Sequence, residues 1–453
     1  METNPFIFPE DEEITAEVVQ DFIEQHQARI PRYRRLKNMY IGDHPIKHQD
    51  KKPDYKPDNR LVVNFAKYIV DTFNGYFIGI PVKIQHDDKK INELVDDFQR
   101  MNDMDDNQAE LSKMSSIYGH AFEIVYQDEN AETHCTYCDP TEMFIVYDDT
   151  IQERPLFAVH YHIIDDKLIG TVYTRNEIIK FAENDEKIAF GERKPHYFGD
   201  VPVIEYIENE ERQSIFENVE SLINAYNKAI SEKANDVDYF SDAYLKILGA
   251  ELDEETLRHI RDNRIINLFG DAETLKSLVV EFMEKPSADE TQENLLNRIE
   301  RLIYQISMVG NINDEKFSNA PSGVALELKL QPMKNLAAMK ERKFASGLNR
   351  RFKIIFHIWG IQRKVDANEW RNLNYVFTRN IPRNLMDEAE IAGKLTGITS
   401  KETQLSVLSF VDNPQLEIER IKQEENERMS SYLTNDDGDF YSEPEDDETE
   451  KVD

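Results

Sequence analysis

The chain contains very little cysteine: Cys135 and Cys138, spaced as C-T-Y-C, are the only two among 453 residues. A zinc site needs about four ligands, but no second C-x-x-C occurs, and only His134 is adjacent to the pair. We therefore interpret the two cysteines as reduced structural thiols. So few cysteines indicate that the protein folds in a reducing compartment.

Long hydrophobic runs are also missing. The N-terminus, METNPFIFPEDEE, has neither the basic start nor the apolar stretch of a signal peptide. One of the longest apolar segments, YIVDTFNGYFIGIPV, carries Asp71 and Asn74 and is too short to cross a bilayer. We therefore expect no membrane segment and a protein that is cytoplasmic when it is made.

Positive charge is scarce as well. The chain has 54 Lys and Arg against 88 Asp and Glu, which gives a net charge of −34. A chain this acidic repels phosphates at long range. High-affinity binding to nucleic acid depends on Lys and Arg that displace counterions, so the composition argues against that class of protein. It still allows a protein that touches DNA without adhering to it.

Common catalytic motifs are absent. The fragment closest to a phosphate-binding loop, GDAETLKS from Gly270, lacks the second glycine and one residue of spacing. Neither G-x-S-x-G nor H-E-x-x-H occurs. A nuclease site built from scattered carboxylates stays open as an alternative, although the YDD beginning at Tyr147 is more simply a strand end. We predict no catalytic residues and no cofactor.

What the chain does have is length and alternating hydrophobic patterns. Its 453 residues suggest two or more domains, or one subunit with several lobes. Segments between residues 119 and 207 are apolar at every second position, which predicts a β-rich lobe. His160 and His162 fall on one strand face, but no third ligand follows at a familiar spacing. We interpret both as structural and predict no metal site.

Helical patterns dominate the rest. Apolar residues at three- and four-residue spacing predict helices over 214–243 and 287–308, the first spanning roughly 40 Å. Between them, residues 244–286 look like a compact island of strands and a short helix. A polar stretch, 309–323, precedes a further helix that contains Pro332, which should kink it. The acidic end of the chain lacks core residues and should be disordered.

Several motifs occur in an order that resembles a known family. They are MYIGDHPI with NRLVVNFAKYIVDTFNGYFIGIPVKI, YGHAFEIVY with CDPTEMFIVYDD, NAYNKAISEKANDVDYFSDAYLKILG, and NDEKFSNAPSGVALELKL. Each is weak alone, but together they run in order over roughly residues 30 to 430. The arrangement resembles the portal proteins of tailed double-stranded DNA bacteriophages of the siphophage type.

The resemblance implies an α+β, mainly helical portal fold and a ring oligomer. The ring would be a dodecamer, and the isolated protein could also form a ring of thirteen subunits. The ring would form the DNA channel for packaging and ejection at one capsid vertex of the virion, after assembly in the host cytoplasm. Its partners would be the terminase large subunit, a head–tail adaptor, the major capsid and scaffolding proteins, and DNA that passes without sequence specificity. Another head–tail connector component is the alternative.

The resemblance also divides the chain into named parts. They are a wing (1–213), a stem helix (214–243), a clip (244–286), a second stem helix (287–308), a tunnel loop (309–323), a kinked long helix with a return to the wing (324–384), a crown (385–432) and a disordered acidic tail (433–453).

Three groups of site residues follow from this division. The tunnel loop would line the channel with Asn311, Asn313, Lys316, Phe317, Ser318, Asn319 and Ser322, whose small polar groups offer weak hydrogen bonds to phosphates. A basic stretch would hold acidic surface of the adjacent subunit through Lys340, Arg342, Lys343, Arg350 and Arg351. The clip would dock partners through Glu254, Glu255 and Arg258. Without the resemblance, the loop would be interpreted as an ordinary helix–helix connection.

Overall fold

The computed structural model describes residues 3–53, 56–241, 245–248, 279–282, 289–312, 323–380, 385–408, 410–411 and 413–434. Many predicted site residues lie outside these ranges: Asn313, Lys316, Phe317, Ser318, Asn319 and Ser322 of the loop, and Glu254, Glu255 and Arg258 of the clip. The chain divides into two compact units, Met1–Asn380 and Ile381–Asp453.

Over its described residues, the first unit combines helices with four sheets. Its helices are α1 (Ala16–Gln27), α2 (Ile30–Ile41), α3 (Phe65–Ile78), α4 (Lys89–Met101), α5 (Met104–Tyr118), α6 (Glu220–Ser241), α7 (Asp289–Ser307) and α8 (Gly323–Ile361). Its strands are β1 (Phe6–Phe8), β2 (Lys83–Gln85), β3 (His120–Gln127), β4 (Thr133–Cys138), β5 (Met143–Asp148), β6 (Pro155–Ile164), β7 (Lys167–Tyr173), β8 (Glu177–Asn184), β9 (Lys187–Pro195), β10 (Val203–Ile207), β11 (Leu245–Leu248), β12 (Val279–Phe282) and β13 (Asn374–Val376).

The largest sheet has six strands in the order β1-β5-β6-β7-β8-β9. All neighbours pair antiparallel except β1, which joins β5 in parallel. Helix α1 covers one face, where Phe22 meets Phe6 and Phe157 edge to face at ring-centroid distances of 5.6 and 5.9 Å. The predicted β-rich lobe is confirmed, whereas the strand at the N-terminus was not expected.

A second, three-stranded sheet has the order β10-β3-β4 and packs against α8, which we call the long helix. Tyr206 of β10 lies 4.9 Å from Phe344 of the long helix, measured between ring centroids. One turn further along the long helix, a Cβ at Gly347 would lie 2.4 Å from the Tyr206 ring. Glycine is therefore required there because the helix backbone approaches the ring too closely for any side chain.

The two helices predicted around the island are present as α6 and α7, which pack against each other, but α6 begins at Glu220 rather than at residue 214. At the island itself the structure describes only β11 and β12, which pair antiparallel. The long helix continues through Pro332 to Ile361. The short strand β13 follows it and pairs antiparallel with β2.

Local backbone features set two helix boundaries. Helix α2 begins at Ile30 and carries Pro31 in its first turn. A first-turn proline costs no hydrogen bond, because the N–H groups there have no partner within the helix. Helices α4 and α5 are separated at Asp103, whose φ is 49°.

The second unit consists of three helices over its described residues: α9 (Leu385–Lys394), α10 (Lys401–Ser406) and α11 (Pro414–Thr434). Ser400 caps α10, because its side chain accepts a hydrogen bond from the backbone N–H of Thr403. Gln404 of α10 donates a 2.8 Å hydrogen bond from Nε2 to the carbonyl oxygen of Ala392 in α9, which connects the two helices. The helical character predicted for 385–432 is confirmed.

A buried histidine makes the first unit sensitive to acid. His26 of α1 lies 2.8 Å from the carbonyl oxygen of Pro140 through Nε2, and 2.7 Å from the Tyr161 hydroxyl through Nδ1. A carbonyl can only accept, so Nε2 carries the proton and Nδ1 accepts from Tyr161. Burial lowers the pKa of His26 from 6.5 to about 3.

Acid should therefore destabilise the fold through His26. Below pH 6.5 the unfolded chain binds a proton at His26, whereas the folded chain does so only near its lowered pKa. The free energy of unfolding therefore decreases as the pH is lowered. We expect a loss of about 1.4 kcal/mol between pH 7.5 and 5.5. His26→Gln should abolish this part of the pH dependence in melts at both pH values.

The matched control is Gln25→Ala, because Gln25 is exposed on the same helix and has no ionisable group. This variant should keep the wild-type pH dependence. An unchanged dependence in His26→Gln as well would contradict the assignment.

Candidate functional site

The start of the polar stretch is fixed to α3 by a single tyrosine. The Tyr68 hydroxyl donates to the carbonyl oxygen of Gly310 at 3.3 Å, and the backbone N–H of Ile312 donates to the same hydroxyl oxygen at 2.9 Å. Val309, just before, is buried. We call residues 309–312 the loop base, because they are the described residues at the start of the polar stretch.

Aromatic rings pack α3 against both helices of the α6–α7 pair. Tyr304 of α7 meets Tyr68 and Phe65 edge to face, with ring centroids 5.7 and 5.8 Å apart. Phe65 also meets Tyr226 of α6 at 5.0 Å. Edge-to-face pairs of this kind are each worth about 0.5–1.5 kcal/mol beyond their burial. The ends of α6 and α7 are therefore attached to α3 at one place.

Among the predicted loop residues, the structure describes Asn311. Its Nδ2 donates to Glu300 Oε1 of α7 at 3.4 Å. A cavity of about 960 Å³ adjoins it, with the cations Arg298, Arg301 and Lys329 in its lining. The surroundings of the loop base are therefore less acidic than the chain as a whole.

The predicted interface residue Lys340 lies inside the subunit. Its Nζ lies 2.6 Å from Glu208 Oε2 and donates to the carbonyl oxygen of Ser112 and to Ser116 Oγ at 2.8 and 2.7 Å. Burial lowers the pKa of Lys340, and the Glu208 carboxylate opposes that shift. The predicted contact with an adjacent subunit is wrong for this residue, because its charge is neutralised within its own chain.

Arg351 is likewise buried, and the same correction applies to it. Its Nε donates to Glu123 Oε2 at 2.8 Å, its Nη2 lies 2.8 Å from Glu123 Oε1, and the Tyr206 hydroxyl also donates to this carboxylate. Although burial lowers the pKa of Arg351, the Glu123 carboxylate outweighs that effect and holds the pKa above its ordinary value. This ion pair joins the long helix to β3.

The other three predicted interface cations differ in exposure. Arg350 is half-buried and donates to Asp200 Oδ1 at 3.1 Å, and Lys343 pairs with Glu210. Arg342 is exposed, and its Nε donates to the carbonyl oxygen of Ala338 in its own helix. For these three residues, contact with an adjacent subunit stays a prediction.

The buried acids that hold the long helix were not predicted from the sequence. Glu123 sits in β3, six consecutive residues of which are buried. A carboxylate inside such an apolar strand signals a buried partner, because an unpaired charge there would be too costly. The sequence could have raised that question but could not have named Arg351 as the partner.

The two cysteines remain free thiols. Burial raises the pKa of Cys135 well above its ordinary value and that of Cys138 to about 12. Thiolates are the reactive and metal-binding form, so the raised pKa values disfavour both reaction and metal binding at these two thiols. Among the described residues, no helix combines the length and apolar character needed to cross a membrane.

Comparisons with known proteins give one consistent result. A family model described as "Phage portal protein, SPP1 Gp6-like" matches residues 20–431. A portal protein of Bacillus phage SPP1 is 28% identical, over 85% of this chain and 80% of the relative. A portal protein of Clostridium phage phiCD119 is 24% identical, over 87% of this chain and 91% of the relative.

A solved structure, the neck of an empty GTA particle computed with C6 symmetry, is similar at 9% identity and a TM-score of 0.42, covering 76% of this chain and 89% of that one. The resemblance inferred from the ordered motifs is confirmed by the family match, which extends over most of the chain. The chain therefore belongs to the SPP1 Gp6-like family of phage portal proteins, which are structural components of the virion.

Proposed function

We propose that copies of this chain form a ring around a channel at one vertex of the phage capsid, and that double-stranded DNA enters and leaves through this channel. The family match over residues 20–431 carries the proposal. The ring would be a dodecamer in the virion, and it would work as a conduit without catalytic chemistry of its own.

The proposal assigns the polar residues 313–322 to the channel wall. The loop base supports this assignment, because Tyr68 fixes the point from which the segment starts. Many copies of Asn313, Ser318 and Asn319 around one axis would offer DNA weak, exchangeable contacts. The net charge of −34 per chain would keep DNA from adhering to the rest of the wall.

The remaining parts follow the family's plan. The α6–α7 pair would be the stem, and the island between the two helices would be the clip. The clip would dock the terminase large subunit first and a head–tail adaptor later, through Glu254, Glu255 and Arg258. The major capsid and scaffolding proteins would contact the wing, and Arg342 would face acidic surface of the adjacent subunit.

Light scattering coupled to size-exclusion chromatography tests the ring directly. Twelve copies of a 53.1 kDa chain would weigh about 640 kDa, and a ring of thirteen would support the proposal equally. Rings should persist at moderate salt, with a central hole in electron micrographs. A monomer at every protein concentration and salt would overturn the proposal.

A further inference from the structure

Two histidines and a glutamate come together on the six-stranded sheet. His160 and His162 lie on β6, and Glu142 immediately precedes β5. One potential ligand atom from each residue lies within 4.8 Å of the other two. His162 Nδ1 is 3.6 Å from Glu142 Oε1, and the two imidazole rings have their centroids 4.5 Å apart.

Sheet pairing fixes this arrangement. Residues two apart on a strand face the same way, so both imidazoles point to one side of β6. The residue between them, Tyr161, donates its backbone N–H to the carbonyl oxygen of Glu142 at 2.9 Å. The backbone of the glutamate is therefore hydrogen-bonded to the backbone between the two histidines. Glu142 could not be recognised as a third ligand from the sequence, because it is a neighbour of the histidines across the sheet and not along the chain.

We propose that Glu142, His160 and His162 bind one zinc ion on the six-stranded sheet. Two imidazoles and one carboxylate are a common set of three protein ligands for zinc, with water in the fourth position. Magnesium and calcium prefer sites built wholly from oxygen ligands, so the two histidines disfavour them. The side chains of His162 and Glu142 are 44% and 46% exposed, so solvent can supply the fourth ligand.

A second cluster, Asp128, Glu132 and His134, is less suited to zinc. It offers one imidazole instead of two. Asp128 Oδ1 already accepts the backbone N–H groups of Asn130 and Glu132 at 2.9 and 2.8 Å, which closes the turn between β3 and β4. This cluster is best explained as turn structure, and it provides the matched control.

The bound ion would have a structural effect. It would connect the start of β5 to the middle of β6 through side chains, in addition to their backbone pairing. A ligand that binds only the folded state stabilises it by an amount that grows with the logarithm of the ratio of its concentration to the dissociation constant. Zinc should therefore raise the melting temperature of the full chain, and this effect does not depend on ring formation.

The test uses the full chain, purified without a histidine tag and stripped with a chelator. After zinc addition and desalting, metal analysis should find one zinc per chain, and a chromophoric chelator should report the affinity by competition. His160→Ala and His162→Ala should each weaken binding by at least about 100-fold, more than the loss of an outer-shell partner. Because His162 is partly exposed, its variant should fold normally, as a melt without metal will verify.

His134→Ala is the control and should bind zinc as tightly as the wild type. Cobalt substitution gives a second reading, since visible absorption of the bound ion should appear in the wild type and in His134→Ala but not in His162→Ala. The proposal is wrong if the wild type retains no zinc, if His160→Ala and His162→Ala retain it fully, or if His134→Ala loses it.

Discussion

Deleting residues 313–322 and joining Ile312 to Gly323 through two glycines should leave ring assembly intact and abolish DNA packaging. The deletion removes the side chains assigned to the channel wall, while the helices on either side keep their contacts with the body. Packaging is measured as nuclease-protected DNA in heads assembled with the variant. Light scattering on the purified variant checks that rings still form.

The structure sets the start of this deletion. Asn311 and Ile312 belong to the loop base, since they contact Glu300 and Tyr68. A deletion that began at Asn311 would therefore also damage the attachment of α7 to α3. Starting at residue 313 separates a defect in the channel wall from a defect in folding.

The matched control is a deletion of the last ten residues, 444–453. This segment is the same length as the loop deletion and lies beyond the family match, which ends at residue 431. It should package DNA normally. Wild-type amounts of protected DNA in the loop deletion would contradict the role assigned to residues 313–322.

Arg351→Met should cost about 3–5 kcal/mol of folding free energy, because it leaves the Glu123 carboxylate buried without its counter-charge. Both partners are fully buried, so water cannot replace the lost interaction. The Tyr206 hydroxyl would still donate to Glu123, but a neutral hydroxyl cannot offset a full charge. Denaturant titration followed by tryptophan fluorescence measures the loss, since Trp359 is buried in the same helix.

Lys353→Met is the matched control on the same helix. Lys353 pairs with Asp200 at 2.9 Å, but its side chain is 53% exposed, so its removal should cost less than about 1 kcal/mol. Adding Glu123→Gln to Arg351→Met should restore much of the lost stability, because no charge is then left buried. Equal losses in Arg351→Met and Lys353→Met would refute the argument.

Elements with a strong periodic pattern were predictable from sequence. The helices over 214–243 and 287–308 appear as α6 and α7, because their apolar stripes repeat at the helical period. The strand at Phe6–Phe8 was not predicted, because three residues are too few to show a period. Its partner strand, β5, is also distant in the chain. Local patterns specify an element only where they are long enough to repeat.

Which charged side chains are buried could not be predicted from the sequence. Lys340, Arg342 and Arg351 look alike in a basic stretch, yet the first and third are buried while Arg342 is exposed. The acid that neutralises Arg351 lies 228 residues earlier in the chain. No spacing rule within a helix could indicate a partner so distant.

By itself, the sequence determined the family, the alternation of a β-rich lobe with long helices, and the acidic character of the chain. These three properties depend on composition, local period and motif order, all of which can be determined from the order of the residues. Only the tertiary structure decided which charges are buried, that Tyr68 holds the loop base, and that Glu142 lies beside His160 and His162. Those facts depend on which distant segments pack together, because the cost of a buried charge and the reach of a ligand are set by neighbours in space.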